Sequence, residues 1–175
     1  MKIINPLIIL KNKFHKSKKI ENKNLPLQKS QSVLKIDQLL DSNYEIVKIH
    51  QVGLVDPFAI QGVLVLKTDD GKEFPISSFS GDVARSISNF IEDNRSSLPT
   101  IYNMIEQICE ESELLLVKVK LYQSGDALRA NLYFTGKKDL VLRNYRASDA
   151  LALAAFYSVP ILVRKDLFTE KATVK

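Results

Sequence analysis

The chain has few of the residues that mark disulfide-rich, metal-binding or membrane proteins. Its 175 residues include one cysteine, Cys109, two histidines and no tryptophan. A single cysteine excludes an intrachain disulfide and predicts a reducing, cytoplasmic location. His15 and His50 are far apart and have no cysteine nearby, which argues against a zinc site of the usual kind. No apolar run approaches the roughly 20 residues that cross a bilayer, so no membrane association is expected.

The composition that remains is typical of a globular protein. Hydrophobic residues make up 45% of the chain and charged residues 26%, and the length suits one domain with an appendage. We predict a basic, disordered N-terminal arm at 1–35, a single domain at 36–168 and a short C-terminal tail at 169–175.

The N-terminal arm carries the positive charge of the chain. Residues 1–35 hold nine lysines and a single acid, Glu21, so their net charge is +8; because the whole chain is +5, the remainder is −3. The arm has too few large apolar residues to offset the entropy of ordering it. It is either a segment that binds nucleic-acid phosphates or a solvated extension. In the first case the contacting residues are Lys11, Lys13, Lys16, Lys18 and Lys19.

Hydrophobic periodicity predicts several strands and three helices in the body. A hairpin is predicted at Asp70-Gly71, because Asp-Gly supplies the positive φ angles of a tight turn. Helices are predicted to begin at Ser80, Thr100 and Ser148, whose side chains are suitable N-caps. The third helix has almost no polar face and should be buried on most sides. Strands are predicted at 45–55, 59–68, 113–122, 127–135, 140–142 and 160–164, with a short one from 74.

Two stretches of the body repeat the same order of elements. Each runs strand, hairpin, strand, Gly-Lys turn, short strand and capped helix, with the Gly-Lys turns at Gly71-Lys72 and Gly136-Lys137. The repeat lies in the pattern and hardly at all in residue identity. We predict an α+β fold with a mainly antiparallel sheet and two or three packed helices, built from two pseudo-repeated strand-strand-helix halves.

An aspartate stands in the first turn of the final helix of each half. Asp82 and Asp149 are therefore candidate catalytic residues, and candidate ligands of one Mg²⁺ or Mn²⁺ if both face one cleft. Nucleases commonly use carboxylates in this way, because these ions prefer oxygen ligands and stabilise the oxygens that attack and leave phosphate. The alternative is structural, since the helix dipole favours an acid in the first turn.

Arginines close to these helix starts are the candidate phosphate ligands. Arg85, Arg143 and Arg146 qualify because guanidinium forms forked bonds to phosphate oxygens, and Arg146 is also assigned to catalysis. Alternatively, Arg146 forms a buried or half-buried bidentate ion pair with Asp149 or Asp82. The two roles are compatible with each other.

The other polar residues of the body carry less information. Lys118 and Lys120 alternate with Val117, Val119 and Leu121, which predicts that the lysines lie on the solvated face of a strand. The chain has no Gly-rich phosphate loop and no Ser-His-Asp or Cys-His constellation. A histidine-based nuclease mechanism with a paired acid and base is therefore not expected.

The block at 146–154 resembles the signature of the bifunctional nuclease family. It reads Arg-Ala-Ser-Asp-Ala-Leu-Ala-Leu-Ala, and Pro160-Ile161 follows at the start of a strand. Weaker matches precede it in the same order, at 69–71, 74–76, 81–84 and 99–100. The chain departs from the family at Ala147, where a proline is usual. It also has Thr100-Ile101-Tyr102 where Thr-His-Asp is common.

The resemblance implies a nuclease acting on RNA and DNA, and it implies assembly into a homo-oligomer. With the candidate residues above, the reaction would be metal-assisted phosphodiester hydrolysis. Asp82 and Asp149 would hold Mg²⁺ or Mn²⁺, and Arg146 would steady the scissile phosphate. The missing His-Asp pair supports an alternative, a non-catalytic nucleic-acid-binding or regulatory module that uses the lysine-rich arm.

Overall fold

The fold is an α+β domain, as predicted. The computed structural model describes residues 41–94 and 98–169, so the predictions for the arm at 1–35 and for most of the tail lie outside the described residues. The elements follow one another as β1 Tyr44–Leu54, β2 Gln61–Thr68, β3 Glu73–Ser80, α1 Gly81–Ile91, α2 Ile101–Glu111, β4 Leu114–Ser124, β5 Ala127–Gly136, β6 Leu140–Arg146, α3 Ala147–Tyr157, β7 Ile161–Arg164 and α4 Asp166–Thr169.

The described strands form a seven-stranded sheet in the order β3-β2-β1-β7-β4-β5-β6. Each neighbouring pair is antiparallel except β4 and β7, which are parallel. The first half contributes β1, β2 and β3 followed by α1, and the second contributes β4, β5 and β6 followed by α3. The predicted pseudo-repeat is thus real, and β7 joins the two three-stranded halves at the centre of the sheet.

Alternation within the strands places the core on one face of the sheet. In β2 the residues Gly62, Leu64, Leu66 and Thr68 are buried, while the residues between them are partly exposed. The predicted hairpin follows directly, with Gly71 at a φ of 92°, a conformation that glycine adopts without steric cost. Helices α1 and α3 pack against each other over this face.

Helix α3 is the central element of the core, as its composition predicts. Seven of its 11 residues are buried, and Leu151 and Ala152 have no exposed surface. The predicted N-cap at Ser148 is wrong, however. Strand β6 runs directly into the helix, so Arg146 is the N-cap and Ser148 falls inside the first turn, where it is buried. None of the described helices has the length and apolar character needed to span a membrane.

The predicted solvent exposure of Lys118 and Lys120 is also wrong. The Lys120 side chain is 3% exposed and pairs with the Asp41 carboxylate, and the Lys118 ammonium lies 3.0 Å from the same carboxylate. Both ammonium groups lie over the ring of Tyr133, at 5.3 and 4.9 Å from its centroid. Alternation correctly assigns the lysines to the face opposite α1 and α3, but Asp41 and the tyrosine rings shield that part of the face from water.

Candidate nucleic-acid site

The start of α1 presents an acid and an arginine to solvent. Ser80 is the N-cap, and its hydroxyl accepts a bond from the Asp82 amide at 3.3 Å. The Asp82 carboxylate then lies 2.6 Å from Arg85 Nη1, with side-chain exposures of 87% and 50% for the acid and the arginine. The pair is one turn apart on a single helix, so it leaves both charged groups available to a ligand.

The start of α3 carries the same two residue types in the reverse order. Arg146 is the N-cap and Asp149 lies in the first turn, with 3.9 Å between Arg146 Nε and Asp149 Oδ2. The side chains are 65% and 50% exposed. The ion pair with Asp149 therefore exists, and the Asp149 side chain is half-buried, but the contact is a single one at the distance limit, so the predicted bidentate geometry is wrong. Because β6 is an edge strand and Arg146 its last residue, the guanidinium has no element beyond it to bury it.

The two helix starts lie at opposite edges of the sheet. Helix α1 follows β3 and α3 follows β6, and these are the first and last strands of the sheet. Five strands lie between these edge strands in the sheet order. Asp82 and Asp149 each pair with an arginine of their own helix start. We therefore treat the helix starts as two separate sites.

No group of three or more histidine, cysteine, aspartate or glutamate side chains within 41–94 and 98–169 is arranged to hold a metal ion. The described residues thus offer an ion no complete cage of such side chains. Mg²⁺ accepts such sites, since it often binds one or two carboxylates and takes its other ligands from water and substrate phosphates.

A family model for the bifunctional nuclease domain matches residues 64–175, a stretch that includes both helix starts and the block at 146–154. The chain belongs to the bifunctional nuclease family. A search of curated proteins gave no match. The match confirms the resemblance seen in the sequence.

The main departure from the bifunctional nuclease pattern lies beside the α3 site. Tyr102, at the position where the family often has aspartate, packs its ring against those of Phe90 and Phe156, at 4.9 and 5.9 Å between centroids, and the two phenylalanine rings also contact each other. Burial raises the pKa of the Tyr102 phenol; a hydrogen bond with Ser86 opposes the rise and the nearby charge of Asp149 adds to it. An aspartate here would thus lie close to Asp149, which supports the importance of that helix start.

Helix α2 positions Tyr102 through its own start. Thr100 is the N-cap, as predicted, and its amide donates to Asn103 Oδ1 at 2.9 Å. Ile101, at the position of the family's histidine, is 55% exposed and forms no part of a polar site. The structure therefore places the two substituted positions differently. Ile101 is exposed to solvent, whereas Tyr102 packs against α1 and α3.

The remaining candidate phosphate ligands are divided by the fold. Arg143 is exposed on β6, beside an irregularity in its pairing with β5 and next to Asn144, whose φ is 64°. Arg85 donates to the Ala59 carbonyl at 3.5 Å in addition to its pair with Asp82. The five arm lysines proposed to bind phosphate lie outside the described residues.

Sequence reasoning missed two residues near these sites. Phe58 is 82% exposed and precedes Ala59, whose carbonyl accepts from Arg85, and an exposed aromatic ring in such a loop suits stacking on a nucleobase. Arg129 lies directly opposite Arg146 in the β5–β6 register. Neither is visible from local pattern, because each acquires its neighbours only when strands pair. The turn at Ser124-Gly125-Asp126 joins β4 to β5, so it is the local signal that indicates Arg129 lies near the start of β5, opposite the end of β4.

Proposed function

We propose that this protein is a nuclease that hydrolyses phosphodiester bonds in RNA and DNA with the help of Mg²⁺ or Mn²⁺. One observation carries the proposal. The block characteristic of the bifunctional nuclease family places Arg146 and Asp149 together at the start of a buried helix, with both side chains exposed to solvent.

The residues divide the work by their chemistry. Arg146 would bind the scissile phosphate through its forked N–H groups, and Arg143 and Arg85 would bind neighbouring phosphates. Asp149 would hold the metal ion at the α3 site, and Asp82 would do the same at the α1 site. When bound, such an ion would polarise the phosphate and lower the pKa of a water molecule.

The rigidity of α3 supports this assignment. Its buried face fixes the backbone that carries Asp149, while the positive end of its dipole favours an anion at the same point. A phosphate that approached the α3 start would meet the helix amides, Arg146 and the exposed carboxylate together. Phosphate binding at helix N-termini has this same physical basis.

The test is cleavage of end-labelled single-stranded RNA and DNA by the full chain, with Mg²⁺, with Mn²⁺ and with a chelator. We expect metal-dependent cleavage that falls at least about a hundredfold in Asp149→Asn, because loss of a group that stabilises transition-state charge costs this much. Asp126→Asn, an exposed acid in a turn, is the matched control. Cleavage unaffected by Asp149→Asn and Asp82→Asn would exclude these residues from the reaction, and absence of cleavage under every condition would refute the nuclease proposal.

The second candidate is a non-catalytic module that binds nucleic acid or regulates another protein. The observation that favours it is Tyr102, which fills the family's aspartate position with an aromatic side chain packed against Phe90. In this case the lysine-rich arm supplies the affinity, and binding should be sensitive to salt. Deletion of residues 1–35 should then abolish binding to RNA and DNA, and full affinity of the truncated chain would argue against the module.

We also propose that the protein is a cytoplasmic homo-oligomer. Its second copy would pack on the outer face of α2, where Ile101, Met104 and Ile108 are 51–55% exposed. These side chains recur at helical spacing, so they form an apolar stripe that a monomer would leave in water. The only cysteine is buried within the core, which is compatible with a reducing compartment.

A further inference from the structure

Two arginines face each other across neighbouring strands at the edge of the sheet. Arg129 on β5 is paired directly with Arg146 on β6. Residues paired in this way carry their side chains on the same face, with Cβ atoms about 5 Å apart. Like charges at such positions destabilise a sheet, so the pair is a cost that folding alone does not explain.

The acids of the described chain do not neutralise this pair. Asp149 Oδ2 lies 3.9 Å from Arg146 Nε, and the Asp149 side chain is 50% exposed. Arg129 has no ion pair among residues 41–94 and 98–169, although it is only partly exposed. Only one of the two guanidinium groups therefore contacts a carboxylate, and that contact is long, which leaves an excess of positive charge at the edge of the sheet.

The strands around the pair hold it in place. Tyr122 on β4 is the other cross-strand neighbour of Arg129. Its hydroxyl donates to the Asn144 side chain and lies 3.2 Å from Asn131 Oδ1, which also accepts from the Asn144 amide at 3.2 Å. This network fixes the irregular turn of β6 immediately before Arg146, and such irregularities commonly re-aim side chains at functional sites.

We propose that Arg129 and Arg146 form a clamp that binds the phosphate backbone of a nucleic-acid strand. Two planar guanidinium groups side by side present parallel forks of N–H donors, and these match the oxygens of a phosphodiester. The anion also relieves the repulsion between the arginines. The identity of the anion as a nucleic-acid strand rests on the proposed function. The clamp itself rests on the pairing of Arg129 with Arg146 in the β5–β6 register and on their like charges.

The clamp is tested by the binding of a labelled single-stranded RNA of about 20 nucleotides to the full chain, with chelator present to prevent cleavage. We expect Arg129→Gln and Arg146→Gln each to weaken binding about tenfold and to lower the salt slope by roughly 0.7 for the lost phosphate contact. Arg129→Lys, which keeps the charge and loses the fork, should fall between them and the wild type. Lys138→Gln removes the same charge from the turn between β5 and β6, beyond the opposite end of β5, and should change the affinity less than about twofold.

Stability separates a ligand site from a structural role. If the pair is held for a ligand, Arg129→Gln should melt at or above the wild-type temperature, because it removes a like-charge contact. Arg129→Gln protein that binds RNA as tightly as the Lys138→Gln control would overturn the clamp. So would wild-type protein that binds no RNA at low salt. RNA binding that depends on Arg129 without any cleavage in Mg²⁺ or Mn²⁺ would retain the clamp and refute the nuclease.

Discussion

Gly62 lies where β2 and α1 approach closely, so it offers a sharp test of how α1 packs on the sheet. A Cβ atom at this position would lie 2.7 Å from both Ala84 Cβ and Phe79 Cε2. Ala84 has no side-chain torsion to adjust and Phe79 is buried, so Gly62→Ala must push the α1 backbone or distort the core. Overpacking of this kind costs about 1–3 kcal/mol, and the lower entropy of the unfolded alanine variant returns about 0.4–1 kcal/mol.

The net loss for Gly62→Ala is then about 1–2 kcal/mol, which for a chain of this length lowers the melting temperature by roughly 2–8 °C. Gly53→Ala is the matched control. Gly53 lies on β1, the strand paired with β2, and a Cβ there would meet only Val63 Cγ1 at 3.8 Å. That variant should equal or exceed the wild type in stability. The measurement is thermal unfolding followed by circular dichroism at fixed protein concentration. A Gly62→Ala protein as stable as Gly53→Ala would show that α1 does not pack on β2 as described.

Two further predictions concern the buried lysines and the outer face of α2. Burial alone would raise the pKa of Asp41, but hydrogen bonds and charge from Lys120 and Lys118 hold it below its ordinary value of 3.8. Asp41→Asn should therefore lower the free energy of unfolding by about 3 kcal/mol at pH 7. In denaturant titrations its difference from wild type should shrink as the pH falls below 3.8, and should be lost only below the lowered pKa of Asp41 in the folded state. Asp69→Asn, which breaks an exposed pair, should have little effect. Met104→Asp should convert an oligomer to monomers in light-scattering chromatography without a loss of helix content, and a wild type that is already monomeric would contradict the proposed interface.

Much of the fold follows from local pattern. The strand predicted at 45–55 agrees with β1, Tyr44–Leu54, to within one residue at each end. The agreement is close because the alternation of apolar side chains is a direct consequence of the pleat. The strand predicted at 59–68 begins two residues too early. Asp56 accounts for the difference, since its carboxylate accepts bonds from the amides of Ile60 and Gln61 and holds them in a turn. A side-chain cap of that kind cannot be read from hydrophobic period.

The candidate site was less predictable than the fold. Sequence pattern located both helix starts and the arginines beside them, because capping residues and charges near a helix end act over one turn. It could not place Arg129 opposite Arg146, nor Tyr102 against the rings of Phe90 and Phe156. Those contacts depend on strand register and on helix packing between segments distant in the sequence.

The same division runs through the whole molecule. Local sequence pattern gives the order and type of most helices and strands, the apolar face of each, and the resemblance to the family, although several element ends differ from the predicted ones. Only the tertiary structure decided that the two helix starts lie at opposite edges of the sheet and that Lys120 is buried beside Asp41. The periodicity of apolar side chains and the capping of helices depend on residues close together in the sequence. Strand order, the burial of a charge and the pairing of two arginines arise only when distant segments meet.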